Sequence, residues 1–309
     1  LAFISLAVLT SCWSPDGNRT PRNGSSPSST TSSSATPGST AGKTSNNNGE
    51  TNKVSSSNTP DMPKSGGFQG NLPGGFQTPT DPVGQKMLKE YGAMFVAKGV
   101  TPPSVVVFKN ESEVSAFQSG VQKSSENIGG VTIELQAAAM NALKEAVTEA
   151  KGKNLSISPR NADSAKRSYQ QTVDNWKSRV DPGLVFWVGK GKITQADANR
   201  IKALSATEQI PEIFKLEDAG IFFAQGNQKT IIYSVAPPGT SQHISMLALD
   251  VAQFENPAVR QVLANHGWFQ TVPSDLPHFT YLGVSENELP NLGLKKVTES
   301  GRSFWVPNL

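Results

Sequence analysis

The sequence predicts an α+β fold: a single domain with a mainly antiparallel sheet flanked by helices, preceded by a long disordered tether. Three observations lead there. Residues 14–80 are dominated by Ser, Thr, Asn, Gly and Pro, and a stretch with so little to bury cannot offset its conformational entropy. The rest, roughly 225 residues, suits one domain with a sizeable core. Within it, strand-like runs alternate with segregated helical stretches.

The 309 residues carry a net charge of +3, with Lys and Arg scattered along the chain, so no nucleic-acid partner is expected. The expected organisation is a signal segment over residues 1–12, a linker over 13–82, an N-terminal extension over 83–130 packed on the domain, and the main domain over 131–309. Residues 1–9 are an apolar run leading into Leu9-Thr10-Ser11-Cys12, and Cys12 is the only cysteine. A short apolar run closing on small residues reads as the end of a secretory signal, too short to span a bilayer. The chain begins at Leu1 without Met or a basic segment, so its true start is expected upstream. The Leu-x-small-Cys ending resembles the lipobox of bacterial lipoproteins. That resemblance implies lipidation at Cys12, an extracytoplasmic location, and a cell-envelope membrane as partner through the lipid anchor. With one cysteine, no disulfide forms within the chain.

The tether ends in a small repeat, Gly66-Gly67-Phe68-Gln69 and Gly74-Gly75-Phe76-Gln77, read as a sticky linker. Met87, Leu88, Tyr91 and Phe95 recur at helical spacing and predict a helix over 83–98, stopped by Gly99. Val105-Val106-Val107-Phe108 reads as a buried strand. The Ala, Leu and Glu content of residues 134–151 predicts a helix. Leu155-Ser156-Ile157-Ser158 alternates like a strand and ends at Pro159-Arg160. Asp163 is expected to cap a helix reaching about Val180, with Asp181-Pro182-Gly183 terminating it. Two more helices are expected over 195–204 and 207–219, the second closed by Gly220. Asn256-Pro257 supplies a cap and a first-turn proline for a helix that stops at Gly267.

The chemistry gathers in two segments. One is Ser241-Gln242-His243-Ile244-Ser245-Met246-Leu247-Ala248-Leu249-Asp250; the other is Asp275-Leu276-Pro277-His278, just before the strand-like Phe279-Thr280-Tyr281-Leu282-Gly283. His243, Asp250 and His278 offer two imidazoles and a carboxylate, and Asp275 stands beside the third ligand. Three protein ligands that leave one position for water are the inventory of an open zinc site. Asp250 lies in an apolar run, where an unpartnered carboxylate is costly. His243 precedes it by an odd separation, which puts the two on opposite faces of a straight strand. His243 must therefore sit on a bend leading into that strand. Asp275, on the loop above His278, is placed to take a proton from water and return it to a leaving amine. Singly, each residue has a plainer role: a hydrogen-bonded histidine at a strand end, a turn aspartate, a buried aspartate bonded to backbone. His266, the remaining histidine, is expected to satisfy a carbonyl at a helix C-terminus.

Jointly, the pattern resembles the VanY-like D-alanyl-D-alanine carboxypeptidases, a branch of the LAS-type zinc peptidases, of which this chain would be a divergent member. The signature S-x-H-x-x-G-x-A-x-D is met by Ser241, His243, Ala248 and Asp250. E-x-W-H is met loosely by Asp275 and His278, and the resemblance covers roughly residues 131–283. It implies a zinc-peptidase-like domain with His243, Asp250 and His278 as Zn2+ ligands and Asp275 as general base. It also implies an arginine that binds substrate and supports the oxyanion. Arg160, directly after the expected strand, is favoured over Arg167, which is expected well inside the helix. Both arginines, with Ser241, are candidate substrate-binding residues. Met246 stands for the motif's glycine, Pro277 for its tryptophan, and Asp275 for its glutamate, one methylene shorter. The implied activity is zinc-dependent hydrolysis of peptidoglycan stem peptides, D,D-carboxypeptidase-like. The alternatives are a non-catalytic peptidoglycan-binding or scaffolding lipoprotein that keeps the fold, and an unrelated envelope protein in which the His and Asp residues coincide.

Overall fold

The computed structural model describes residues 66–309; Cys12, the signal segment and most of the expected linker lie outside the described residues. Helices and antiparallel strands are mixed, as expected for α+β. In chain order the elements are α1 (Gly67–Gly70), α2 (Pro82–Tyr91), α3 (Glu111–Gly120), β1 (Lys123–Ile128), β2 (Val131–Gln136), α4 (Ala137–Gly152), α5 (Tyr169–Gly189), α6 (Gln195–Ala203), α7 (Ala206–Asp218), β3 (Ala248–Asp250), α8 (Pro257–Asn265), β4 (Trp268–Phe269), β5 (His278–Tyr281), β6 (Leu294–Glu299) and β7 (Arg302–Pro307). Every strand pair is antiparallel: the hairpins β1–β2 and β6–β7, and a central sheet in the order β3-β5-β4. No helix among the described residues is long and apolar enough to cross a membrane.

Caps explain where the helices begin. Asp81 accepts from Gly84 N and Pro82 fills the first turn of α2; Asn256 and Pro257 repeat the device at α8. Ser168 and Gln171 form a reciprocal capping box at α5, as do Ser205 and Glu208 at α7. One hydrophobic cluster runs from Phe68 through Trp176 and Trp268 to Trp305, so core burial ties the first described residues to the last.

Several expectations are corrected. Phe68 of the supposed sticky linker is buried, and Phe76 meets Phe95 edge to face at 4.8 Å. Packing is therefore already present at Phe68, inside the span expected as linker. Val131 begins the second strand of the β1–β2 hairpin, which closes through Gly129 and Gly130. Val105-Val106-Val107-Phe108 is not a strand; Phe108 N donates instead to Gly239 O. Leu155 to Ser158 forms no ladder. It meets the chain leaving β3 through an isolated bridge, Pro159 with Val251, the bond from Ala252 N to Ser158 O, and bonds between Ser158 and the Gln253 side chain. Asp163 lies in a short 3-10 turn, and α5 starts after Ser168 and runs straight through Pro182. The proline lacks the N–H that would bond Ser178 O; the Arg179 guanidinium supplies a donor to that carbonyl at 3.3 Å, and the helix survives.

Candidate metal centre

Local backbone decides where each side chain points. Gly239 (φ +76°) lets the Phe108 carbonyl approach so closely that a Cβ would overlap it, and this pins the loop before Ser241. Residues Gln242–Ser245 form a 3-10 turn, which Met246 ends in the left-handed conformation (φ 57°, ψ 30°). That single residue turns the chain into β3. A fully buried methionine holds this left-handed position, which L side chains disfavour. The bend also answers the odd spacing, because His243 sits on the turn and Asp250 at the end of the strand. Register supplies the third group: Asp250 pairs directly with His278 across β3 and β5, and directly opposed residues share a face.

The result is a tight triangle. His278 Nδ1 lies 3.1 Å from His243 Nε2 and 3.3 Å from Asp250 Oδ1, and His243 Nε2 lies 3.2 Å from the same oxygen. Outward-facing atoms fix the protons. His243 Nδ1 is 2.8 Å from Ala165 O, a pure acceptor, so Nδ1 carries the hydrogen. His278 Nε2 is 2.9 Å from Gln242 Oε1. Gln242 Nε2 donates to Tyr91 O at 2.8 Å, which leaves Oε1 as the acceptor and puts the second ring's hydrogen on Nε2. Thr280 Oγ1 also donates to that Oε1. Three lone pairs therefore face one another with no proton between them.

Bare, such a cluster is repulsive; around a cation it is the expected geometry. Zinc bonds of 2.0–2.1 Å set tetrahedral ligand atoms about 3.3–3.4 Å apart, close to the spacing found. Protonation states agree. Burial, then the nearby Arg167 charge, pushes His243 down to about 4, so its ring is neutral at pH 7. Burial opposes ionisation of Asp250, but charge and hydrogen bonding from His243 and His278, available whenever either ring carries a proton toward it, outweigh burial and hold the carboxyl well below its usual range. Its second oxygen accepts from Arg167 Nη2 at 2.9 Å. Orientation of ligands by a second layer of hydrogen bonds is typical of metal sites. Among the described residues, His243, Asp250 and His278 form a group that could hold a metal ion.

The triangle floors a cavity of about 290 Å³. Asp275 and Ser241 line it, as do both candidate arginines. Asp275 stands on the loop before β5, where its N–H bonds Val272 O and its carbonyl accepts from His278 N. Burial, with a contribution from Asp250, raises its carboxyl above the usual range, against the pull of His278, Arg167 and Arg160. Arg160 is exposed on the rim; its backbone N–H bonds Asp250 O, and its side chain has no partner among the described residues. Arg167 precedes α5 instead of lying inside it, and its guanidinium is engaged with Asp250 Oδ2 and with Asp163 O. His266 pairs with Glu149 of α4 at 2.7 Å, not with a helix-end carbonyl.

Three lining residues escaped the sequence reading. Gln242 is hidden in a variable motif position. Tyr91 ends α2, in the expected extension; it is buried, and its hydroxyl has no partner among the described residues. Arg179 belongs to a polar stripe on α5, with Thr172, Asn175 and Ser178, whose three-and-four spacing is readable as a helix face.

No family model matches the chain, and no curated protein matches it. Among solved structures it is similar to a mutant of the vancomycin-resistance D,D-pentapeptidase VanY, from a VanB-type resistance cassette, in complex with Zn(II). The identity is 15% and the TM-score 0.31, over 53% of this chain and 82% of that one.

Proposed function

We propose that this protein is a zinc-dependent peptidase that acts on peptidoglycan stem peptides, in the manner of a D,D-carboxypeptidase. The observation that carries this reading is the triangle of lone pairs 3.1–3.3 Å apart at the floor of an open cavity, with a free carboxylate, Asp275, on its wall.

Zinc held by His243, Asp250 and His278 would supply a Lewis acid for a peptide carbonyl and acidify water at neutral pH. The chain's own groups do the rest. Asp275 accepts the proton of the attacking water and hands it to the departing amine. Its carboxylate has no hydrogen-bond donor among the described residues, so it is unencumbered for that exchange. Arg160 offers its planar fork to the substrate's terminal carboxylate or developing oxyanion. Arg167 holds Asp250, Gln242 holds His278, and the Ala165 carbonyl holds His243. An extracytoplasmic, lipid-anchored placement through Cys12 belongs to the same proposal and rests on the sequence alone.

The test is hydrolysis of a peptide ending in D-Ala-D-Ala by the zinc-loaded chain, alongside Asp275→Asn. Turnover that drops about 100-fold or more in the variant, with zinc retained, supports the reading. Peptide binding without turnover in the wild type would instead favour a peptidoglycan-binding protein. No retained zinc would end both.

A further inference from the structure

The cavity carries more positive charge than its proposed chemistry uses. Arg160, Arg167 and Arg179 face two carboxylates, Asp250 and Asp275. Arg167 is committed to Asp250. Arg179 has a different standing. Its Nη1 bonds the Ser178 carbonyl at 3.3 Å and the Ser178 hydroxyl at 3.0 Å, one of them the carbonyl that Pro182 leaves unbonded. Its Nε is buried without a partner, and Nη2 has none among the described residues. Nε and Nη2 are the two donors of the guanidinium's long edge, which receives a carboxylate side-on through two parallel bonds. A buried donor without an acceptor is rare enough to call for one.

We infer that Arg179 is the anchor of a second carboxylate subsite in this cavity, and that the peptide substrate carries an acidic group upstream of the bond that is cut. The inference rests on the proposed peptidase reading for its substrate class. Asn175 and Ser178, on the same wall, and Tyr233 and Ser234, on the facing segment, give that subsite polar company. Eleven residues, about 16 Å of helix, separate Arg179 from Ser168 at the start of α5. The side chain leans back toward that start. Arg167, which reaches Asp250, stands just before that start, so a few residues of extended peptide, at about 3.3 Å each, would run from the triangle to Arg179. Arg160 then serves the terminus or the reacting carbonyl, and Arg179 reads a side chain on the acyl side.

A purely structural Arg179, one that only mends the proline gap, would affect every peptide alike. The experiment therefore compares two synthetic peptides ending in D-Ala-D-Ala that differ only by Glu or Gln, placed in turn two and three residues before the scissile bond. Binding is measured by calorimetry on the full chain, both zinc-loaded and metal-free, and kcat/KM on the loaded form. The Glu peptide is expected to bind at least tenfold tighter in both forms. Arg179→Gln should bring the Glu/Gln ratio close to one, and Arg179→Lys should restore part of it, since a point charge replaces the fork. A ratio near one in the wild type, or a ratio unchanged in Arg179→Gln, overturns the subsite. If the ratio behaves as expected in the metal-free chain while the loaded chain cuts neither peptide, the subsite stands and the peptidase reading falls. If neither peptide binds either form, both fall.

Discussion

Gln242 is the residue whose replacement separates a metal site from an ordinary buried polar cluster. Its Oε1 accepts from His278 Nε2 at 2.9 Å and from Thr280, while its Nε2 donates to the Tyr91 carbonyl at 2.8 Å. Gln242→Ala removes the acceptor that keeps the ring hydrogen on Nε2. The imidazole can then turn its N–H toward the triangle, where only a lone pair is useful. Loss of such a supporting bond weakens metal binding by about 10–100-fold, or about 1.4–2.8 kcal/mol. Gln242→Glu keeps the acceptor and adds charge that makes the ring a stronger base, but it sets a carboxylate against the Tyr91 carbonyl. It should bind zinc at least as tightly as the wild type while losing about 1–3 kcal/mol of folding stability for the unmet buried carbonyl. Zinc affinity is read by competition with a chromophoric chelator, and stability by urea unfolding of the metal-free chain. Wild-type affinity in Gln242→Ala, or equally weak binding in both variants, would mean that Gln242 does not hold His278 for a metal.

In the proposed peptidase, Asp275 must be ionised to take a proton, so kcat/KM should fall as pH drops through a carboxyl value above the usual 3.8. A pH profile of the wild type should show that acid limb, and the residual activity of Asp275→Asn should lack it. Glu217 is buried, accepts from the backbone of Ile231 and Phe223, and is raised to about 7 mainly by burial. A raised folded value favours the protonated form, so its contribution is fully present below about 4.5 and is lost as pH rises through about 7. Glu217→Gln should therefore gain about 1–2 kcal/mol on the wild type between pH 5 and pH 8 in urea unfolding. Cys12→Ser should move the protein from the membrane fraction to the soluble fraction when the two are separated after cell lysis; unchanged partitioning would remove the lipid anchor from the proposal.

The metal triangle was legible as chemistry before it was legible as geometry. Two histidines and an aspartate in two short segments announce a metal by residue type, but nothing in the letters says that Met246 is left-handed or that Asp250 stands opposite His278. Positive φ on a methionine is a tertiary outcome that local propensity opposes. Register likewise comes from which strand faces pack, not from either strand alone. Helix starts were readable where a cap and proline coincided, as at Asp81-Pro82 and Asn256-Pro257. They were misread where two candidates competed: Asp163 looked like a cap, yet Ser168 with Gln171 made the reciprocal bonds. Pro182 reads as a terminator because the rule counts the missing N–H and not a neighbouring guanidinium able to replace it. Low-complexity neighbours concealed Phe68, whose burial depends on the distant β6–β7 hairpin region and not on its own surroundings. Gln242, Tyr91 and Arg179 were missed because their value lies in what they face. Of these, only the stripe carrying Arg179 left a periodic trace.

In the proposed function, His243, Asp250 and His278 hold a divalent cation. The most direct measurement is the zinc K-edge X-ray absorption spectrum of the full chain after loading with one equivalent of zinc and removal of the excess. The prediction is stoichiometric zinc with two imidazole nitrogens at about 2.0–2.1 Å and oxygen ligands at about 2.0–2.2 Å, the imidazole signal halving in His278→Ala. Zinc lost on desalting, or an all-oxygen shell without imidazole scattering, would contradict it.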